Sequence, residues 1–333
     1  MFKAPEFWNH RGGIALMLKP VSTLFTLAAS VRRLLATEYH SDLPVICVGN
    51  ITSGGTGKTP VVAYLCHLLS EAGRNPVVLS RGYGGRLTGP LLCDPAVHDA
   101  GDVGDEALML SNTQPVCVAR DRAEGASFIQ RVTQADIIIM DDGMQNPWLK
   151  KNMTIAVFDG SVGLQNGYVL PAGPLRQTLA SSSDMIDISV INGKDQTGLM
   201  SLLPEQMNIL KGRLQPEQSA ADGLIGRRFL AFAGIGRPKR FFDMLDDTEA
   251  EVIKTVAFAD HHPFSEADLS WLHLEAQQLG AELITTMKDW ARLPSEWREK
   301  IDVLPVFMQF SQEDETRLKT MITARVSHPD TGH

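Results

Sequence analysis

The stretch Cys47-Val48-Gly49-Asn50-Ile51-Thr52-Ser53-Gly54-Gly55-Thr56-Gly57-Lys58-Thr59-Pro60 constrains this chain more than any other. The apolar run at 43–48 predicts a buried strand and the glycines a tight loop. Val61, Val62, Leu65, Leu68 and Leu69 recur at helical spacing. Strand, glycine loop, Lys-Thr and helix in that order is the arrangement that wraps nucleotide phosphates. Glycines let successive backbone N–H groups turn inward, and the helix adds the positive end of its dipole. Thr52, Ser53, Gly54, Gly55, Thr56, Gly57, Lys58 and Thr59 are therefore candidate ATP-phosphate ligands. Lys58 would reach the β- and γ-phosphates and the Thr59 hydroxyl would bind Mg²⁺. The plain alternative is a glycine-rich turn before an ordinary helix, since Thr52 stands where the strict pattern has its first glycine.

The rest of the chain predicts an α/β protein. Strands at 76–79, 116–119, 137–140, 154–158 and 185–191, with a helix at 122–132, build a phosphate-loop unit with a mostly parallel sheet. The strand at 137–140 ends in Asp141-Asp142-Gly143. Adjacent acids at a strand tip need a cation or several donors, and downstream of a phosphate loop they are candidate Mg²⁺ ligands. Asp102-Val103-Gly104-Asp105-Glu106 opens a helix. Acids there either cap the helix or supply a catalytic carboxylate, and the spacing does not choose. The Pro/Gly-rich loop 166–176 ends in Arg176, whose guanidinium could clamp a phosphate. Asn192-Gly193-Lys194-Asp195 reads as a turn. A smaller α/β unit follows, with strands at 229–233, 252–258, 283–286 and 303–307 and helices at 265–280 and 313–326. Its Asp260-His261-His262 run, at a strand end, sets two histidines beside a carboxylate, a candidate acid–base pair. The expected division is 1–40 as a membrane-associated helix, 41–200 as the phosphate-loop unit, 201–226 as a linker and 227–333 as the smaller unit.

A net charge of −8, from 31 basic and 39 acidic residues, argues against nucleic acid as the main partner. The four cysteines have neither metal-ligand nor redox spacing, which points to reduced thiols and a cytosolic side. Residues 12–31 carry one charge, Lys19, but hold Pro20 and several hydroxyls. Their pattern is two-faced, with Ile14, Met17, Val21, Leu24 and Val31 on one stripe and Lys19, Ser22, Thr26 and Ser30 on the other. With Trp8, Arg11, Arg32 and Arg33 flanking it, the segment suits a helix lying in a membrane interface, or two helices broken near Pro20. A helix packed on the protein's own core is the alternative.

Nearly the whole chain resembles the tetraacyldisaccharide 4′-kinase family of lipid A biosynthesis. The motifs that carry the resemblance are Val48-Gly49-Asn50 with the 52–59 loop, Ser80-Arg81-Gly82-Tyr83-Gly84, Gly104-Asp105-Glu106 and Asp141-Asp142-Gly143. Leu170-Pro171-Ala172-Gly173-Pro174-Leu175-Arg176, the 234–242 segment and Asp260-His261-His262 complete them. The resemblance implies transfer of the ATP γ-phosphoryl group to the 4′-hydroxyl of a lipid A disaccharide 1-phosphate, with Mg²⁺. It implies a peripheral enzyme on the cytosolic face of the inner membrane, with no obligate protein partner. It makes Asp105 the base for the sugar hydroxyl, with His261 as its partner and His262 as second choice. Asp141 or Asp142 would organise Mg²⁺, and Arg176 would act near the phosphates. The sequence departs from the family pattern at Met144-Gln145-Asn146, Gln165, Gln177 and Met287.

Overall fold

The structure, a computed structural model, describes residues 5–326. Its strands, in chain order, are β1 (Val45–Gly49), β2 (Pro76–Ser80), β3 (Leu91–Leu92), β4 (Val116–Val118), β5 (Ile137–Asp141), β6 (Met153–Asp159), β7 (Ile188–Asn192), β8 (Asn208–Pro216), β9 (Arg228–Ala233), β10 (Glu251–Ala257), β11 (Glu282–Thr286), β12 (Ile301–Leu304) and β13 (Val306–Phe310). A nine-stranded sheet has the order β13-β8-β7-β6-β1-β5-β2-β4-β3, and a four-stranded sheet the order β10-β9-β11-β12. The smaller sheet is parallel throughout. The larger one is parallel except where β3 meets β4 and β13 meets β8.

Every residue of β1, β2, β5 and β7 is buried. That is why these strands read as continuous apolar runs rather than alternating ones, as expected when helices cover both faces. Ile46, Val48, Val78 and Ile139 point to one face, and Val45, Cys47, Leu79 and Met140 to the other. The chain winds to β5, β2 and β4 on one side of β1 and to β6, β7 and β8 on the other. The reversal at β1 opens a crevice beyond the carboxyl ends of the strands, where such sheets bind ligands.

Two expected boundaries change. Residues 201–226 were expected to link the units, but they contain β8, which pairs with β7 and β13. The expected strand 303–307 is two strands in different sheets, β12 and β13, divided at Pro305. Proline has no N–H for a ladder, and the Pro305 carbonyl accepts from Glu217 N at 2.9 Å. The segment from β13 to the final helix, Gln312–Val326, therefore belongs with the large sheet. Phe310, Leu318, Ile322 and Val326 share a core with Val62, Leu65 and Leu69 of the helix that follows the phosphate loop. The second lobe is thus inserted between β8 and β13.

The N-terminal segment is one helix, α1 (Gly13–Leu35), continuous through Pro20. Its small and polar flank faces the protein. Ala15 and Ser22 are buried, and Ser22 Oγ donates to Val169 O at 2.7 Å while accepting from Ala172 N at 3.2 Å. Its apolar flank faces outward, with Met17 82% and Leu24 66% exposed. Just before the helix, Arg11 Nε donates to Asn166 O at 3.0 Å, and near its end Arg32 Nη2 donates to Gln145 O at 3.2 Å. Leu24, Leu27, Val31 and Leu35 form an open apolar cleft with Trp148.

Candidate active site

The phosphate loop connects β1 to α2 (Lys58–Glu71). Gly57 is the residue before the helix and sits at φ +92°, a conformation costly for any residue with a Cβ. Asn50 Nδ2 donates to Gly54 O at 3.4 Å and to Thr56 Oγ1 at 3.3 Å, bracing the loop from within. The 170–176 loop braces it from outside: Ser53 N donates to Pro174 O and Arg176 N to Ile51 O, both at 2.7 Å. The Pro/Gly-rich segment is therefore part of the phosphate-loop wall.

Asp141 ends β5, and Asp142 follows it at φ +48°. The two acids have opposite electrostatics. Asp142 is partly buried, which would raise its pKa, but Lys58 and Arg176 outweigh burial and hold it below the usual range. Lys58 Nζ lies 3.7 Å from Asp142 Oδ1. Arg176 Nη1 donates to both Asp142 oxygens, at 2.9 and 3.0 Å. Asp141 is almost wholly buried, and its Oδ1 has no hydrogen-bond partner. Burial, and then the neighbouring charge of Glu106, push it up to about 7 against the pull of Lys58. A buried carboxylate oxygen without a donor, on the strand beside the phosphate loop, fits a cation. Among the described residues no three His, Cys, Asp or Glu cluster as a metal cage. Mg²⁺ does not require one, because it binds through one or two carboxylates plus phosphate oxygens and water. Thr59, in the first turn of α2, is the hydroxyl available for the same ion.

Of the acids at 102–106, Asp102 is the capping one. It forms a capping box with Asp99 and pairs with Arg86 at 2.6 Å. Asp105 begins the helix Asp105–Ser111 after Gly104, which is at φ +87° and has no room for a Cβ against the Tyr83 carbonyl. Asp105 Oδ2 lies 2.7 Å from His261 Nδ1, 156 residues away. Lys288 Nζ lies 3.3 Å from His261 Nε2 and 3.3 Å from Glu106 Oε1. A carboxylate accepts, so the Nδ1 proton points to Asp105, while Nε2 faces both Lys288 and, at 3.8 Å, Asp260 Oδ1. Burial would raise Asp105, but the His261 bond and the Arg292 charge outweigh it and hold the carboxyl below its usual range. His261 sits at φ +58°. Left-handed backbone at a non-glycine costs about 1 kcal/mol or more and persists where the surroundings impose it. Here His261 N donates to Gly234 O at 3.0 Å, and Arg292 bonds both Gly234 O and the buried Asp289.

His262 does not join this group. Its Nε2 lies 3.2 Å from Asp268 Oδ2, and its ring stacks on Phe258 with centroids 4.7 Å apart. The structure therefore brings Asp105 and His261 together, and Lys58, Asp142 and Arg176 together. The Asp105 helix packs against α2, which starts at Lys58. Sequence reasoning missed Gln145, Arg292, Lys288, Asp159, Asn192, Arg237 and Arg240. Gln145 bridges Asn50 O (2.8 Å) and Arg176 Nη1 (3.3 Å). Asn192 was read as part of a turn. Its position at a strand end beside the phosphate loop was the signal available.

The family described as tetraacyldisaccharide-1-P 4′-kinase matches residues 14–327. The tetraacyldisaccharide 4′-kinase of Rhodospirillum centenum is 44% identical, over 94% of this chain and 94% of its own. That of Methylobacterium nodulans is 45% identical, over 97% of this chain and 96% of its own. A crystal structure of LpxK from Aquifex aeolicus in complex with ATP superposes with a TM-score of 0.77 at 24% identity, covering 94% of this chain and 99% of that one. On the extent of these matches, the chain belongs to the tetraacyldisaccharide 4′-kinase family of lipid A biosynthesis.

Proposed function

We propose that ATP binds at the 52–59 loop and that Asp105 is the base for the 4′-hydroxyl of a tetraacyldisaccharide 1-phosphate held at the cytoplasmic face of the inner membrane. The observation that carries this reading is the 2.7 Å contact between Asp105 and His261 from the second lobe. In the reaction, the acceptor oxygen attacks the γ-phosphorus as Asp105 takes its proton, and the bond to the ADP oxygen breaks. Asp105 suits this task because it is ionised at neutral pH and only partly exposed. His261 and Arg292 orient its carboxylate. Lys58 and the N-terminus of α2 face the phosphates, and Arg176 stands beside them on Asp142. Mg²⁺, when bound with ATP, would neutralise charge on the phosphate oxygens, and Asp141, Asp142 and Thr59 are the residues that would hold it. The direct test supplies labelled ATP, Mg²⁺ and the disaccharide 1-phosphate in detergent. Label on the lipid is expected, and its absence would remove the reading.

The two histidines separate in mutagenesis. His261→Ala is expected to lower kcat by about 100-fold, as for loss of a group that orients a general base. His262→Ala should leave kcat within a few-fold and lower the melting temperature, because it removes the Phe258 stack and an Asp268 bond. Steady-state kinetics with thermal melts decides, and the reverse order would mean that the wrong histidine was chosen.

The membrane reading rests on α1. The helix spans 23 residues, about 35 Å at 1.5 Å per residue, and by length and composition it could cross a bilayer. Its attachments at Arg11, Ser22 and Arg32 run along its length, so it lies against the protein with its apolar flank outward. That favours a helix in the interface plane. Met17→Glu with Leu24→Glu changes two outward residues only. Each buried side chain of this size contributes about 1.5–3 kcal/mol, so vesicle binding should fall by about 10²–10⁴-fold with an unchanged melting temperature. Sedimentation with anionic vesicles measures this, and undiminished binding would place the membrane contact elsewhere.

A further inference from the structure

A second set of contacts joins the lobes on the β6–β7 side of β1, away from β4 and the Asp105 helix that packs on it. Asp159, the last residue of β6, is almost wholly buried and accepts from Arg237 Nη1 at 2.5 Å and Arg240 Nη1 at 3.1 Å. Both arginines come from the second lobe, at the start of the helix Pro238–Asp246. Arg240 uses its other nitrogen, Nη2, to donate to Asn192 Oδ1 at 3.1 Å. Asn192 ends β7 and is fully buried. Its Nδ2 donates to the carbonyl of Thr56, inside the phosphate loop, at 2.9 Å. The same amide nitrogen lies where a Cβ on Gly57 would fall, so the loop closes directly on Asn192.

Both ends of the Asn192 amide are thus committed, one to the second lobe and one to the phosphate loop. A guanidinium can only donate. It therefore fixes which end of the amide faces it, turning Oδ1 outward and Nδ2 toward Thr56. Without Arg240 only the bond to Thr56 holds the amide, and its buried Oδ1 loses the guanidinium donor that anchors it from the other side. Arg237 cannot substitute, because its recorded bonds go to Asp159 and Ser161. A lysine cannot either, since it is a point donor and this position needs a fork reaching two acceptors.

We propose that Arg240 is a positioning residue for the nucleotide: through Asn192 it sets the Thr56 carbonyl and the curve of the phosphate loop, so that docking of the second lobe and affinity for ATP are linked. The proposal rests on the reading that ATP binds at the 52–59 loop. By reciprocity, ATP bound there strengthens the lobe contact by the factor by which the contact strengthens ATP.

The test is equilibrium binding of a fluorescent, non-hydrolysable ATP analogue to the full chain, with steady-state kinetics and thermal melts alongside. Arg240→Ala should weaken analogue binding about tenfold, the usual scale for a lost hydrogen bond to a charged group. The KM for ATP should rise in proportion, with kcat at saturating ATP within a few-fold. Arg240→Lys should resemble Arg240→Ala. Asn192→Ala should show the same defect, and the double variant should be no worse than Asn192→Ala alone, as for members of one chain of contacts. Arg237→Ala, which loosens the lobes but leaves Asn192 held, should affect affinity less than Arg240→Ala. Wild-type affinity in both Arg240 variants, or fully additive losses in the double variant, would overturn the proposal. If Arg240→Ala does not fold, Arg240→Lys carries the same decision. A wild-type protein that binds no analogue would instead remove the ATP reading, which keeps the two failures apart.

Discussion

Asp105→Asn is expected to reduce kcat by about 10²–10⁴-fold, the range for loss of a general base, while ATP affinity stays near wild type. Asparagine keeps the shape and can still accept from His261 Nδ1, so the lobes should dock as before. What it loses is the ability to take a proton. The expected pH behaviour is specific. Asp105 is held below its ordinary range by His261, Arg292 and Lys288 acting against burial. A carboxylate depressed in the fold contributes stability above its unfolded pKa and loses that contribution only as pH falls through the lower folded value. Asp105 therefore remains ionised through mild acid, and a fall in wild-type activity between pH 7 and 5 must come from another group. Loss of ATP binding along with turnover in Asp105→Asn would move this residue to a nucleotide-binding role.

Asp141→Asn should have the second large effect, and partly in the opposite direction. Burial lifts the Asp141 carboxyl to about 7. The folded protein therefore keeps a proton there that the unfolded chain releases near its ordinary pKa of 3.8. Stability contributed at this site is present below that value and is lost as pH rises toward 7, because the folded state binds more protons. In the absence of divalent cations, Asp141→Asn should then be more stable than wild type at pH 8, by about a few kcal/mol, and similar to it at pH 4. Adding Mg²⁺ with an ATP analogue should raise the wild-type melting temperature strongly at pH 8 and weakly at pH 5.5, where the proton competes. In Asp141→Asn that rise should largely vanish. Melts across pH with and without Mg²⁺ measure all of this; equal Mg²⁺ shifts in the variant and wild type would exclude Asp141 as a ligand.

The parts of this site that were legible in the sequence are the local ones. The phosphate loop and the Asp141-Asp142 tip each sit on one strand and its following turn, so pattern and neighbourhood coincide. The Asp105 and His261 contact was named only through family resemblance, since no local rule joins residues 156 positions apart. Asp102 and Asp105 could not be ranked by spacing because both stand at helix starts. Only the fold shows that Asp102 is consumed by capping while Asp105 points across to the second lobe. The two faces of α1 and the outward turn of the apolar one were legible, but the partners of the polar face were not. Ser22 turns inward to satisfy Val169 and Ala172, leaving the apolar side out. The 303–307 run looked like one strand because only Pro305 interrupts its apolar residues, and that proline was the signal that it divides.

The place of β13 bears on how the chain is made. The edge of β8 and one side of α2 stay uncovered until residues 306–326 leave the ribosome, after the whole second lobe. A nascent chain halted at Leu304 would carry a bare strand edge next to an apolar groove, the combination that recruits other chains. C-terminal trimming should therefore damage the nucleotide-binding half first, and truncation at 304 is expected to yield aggregated protein rather than a soluble phosphate-loop unit.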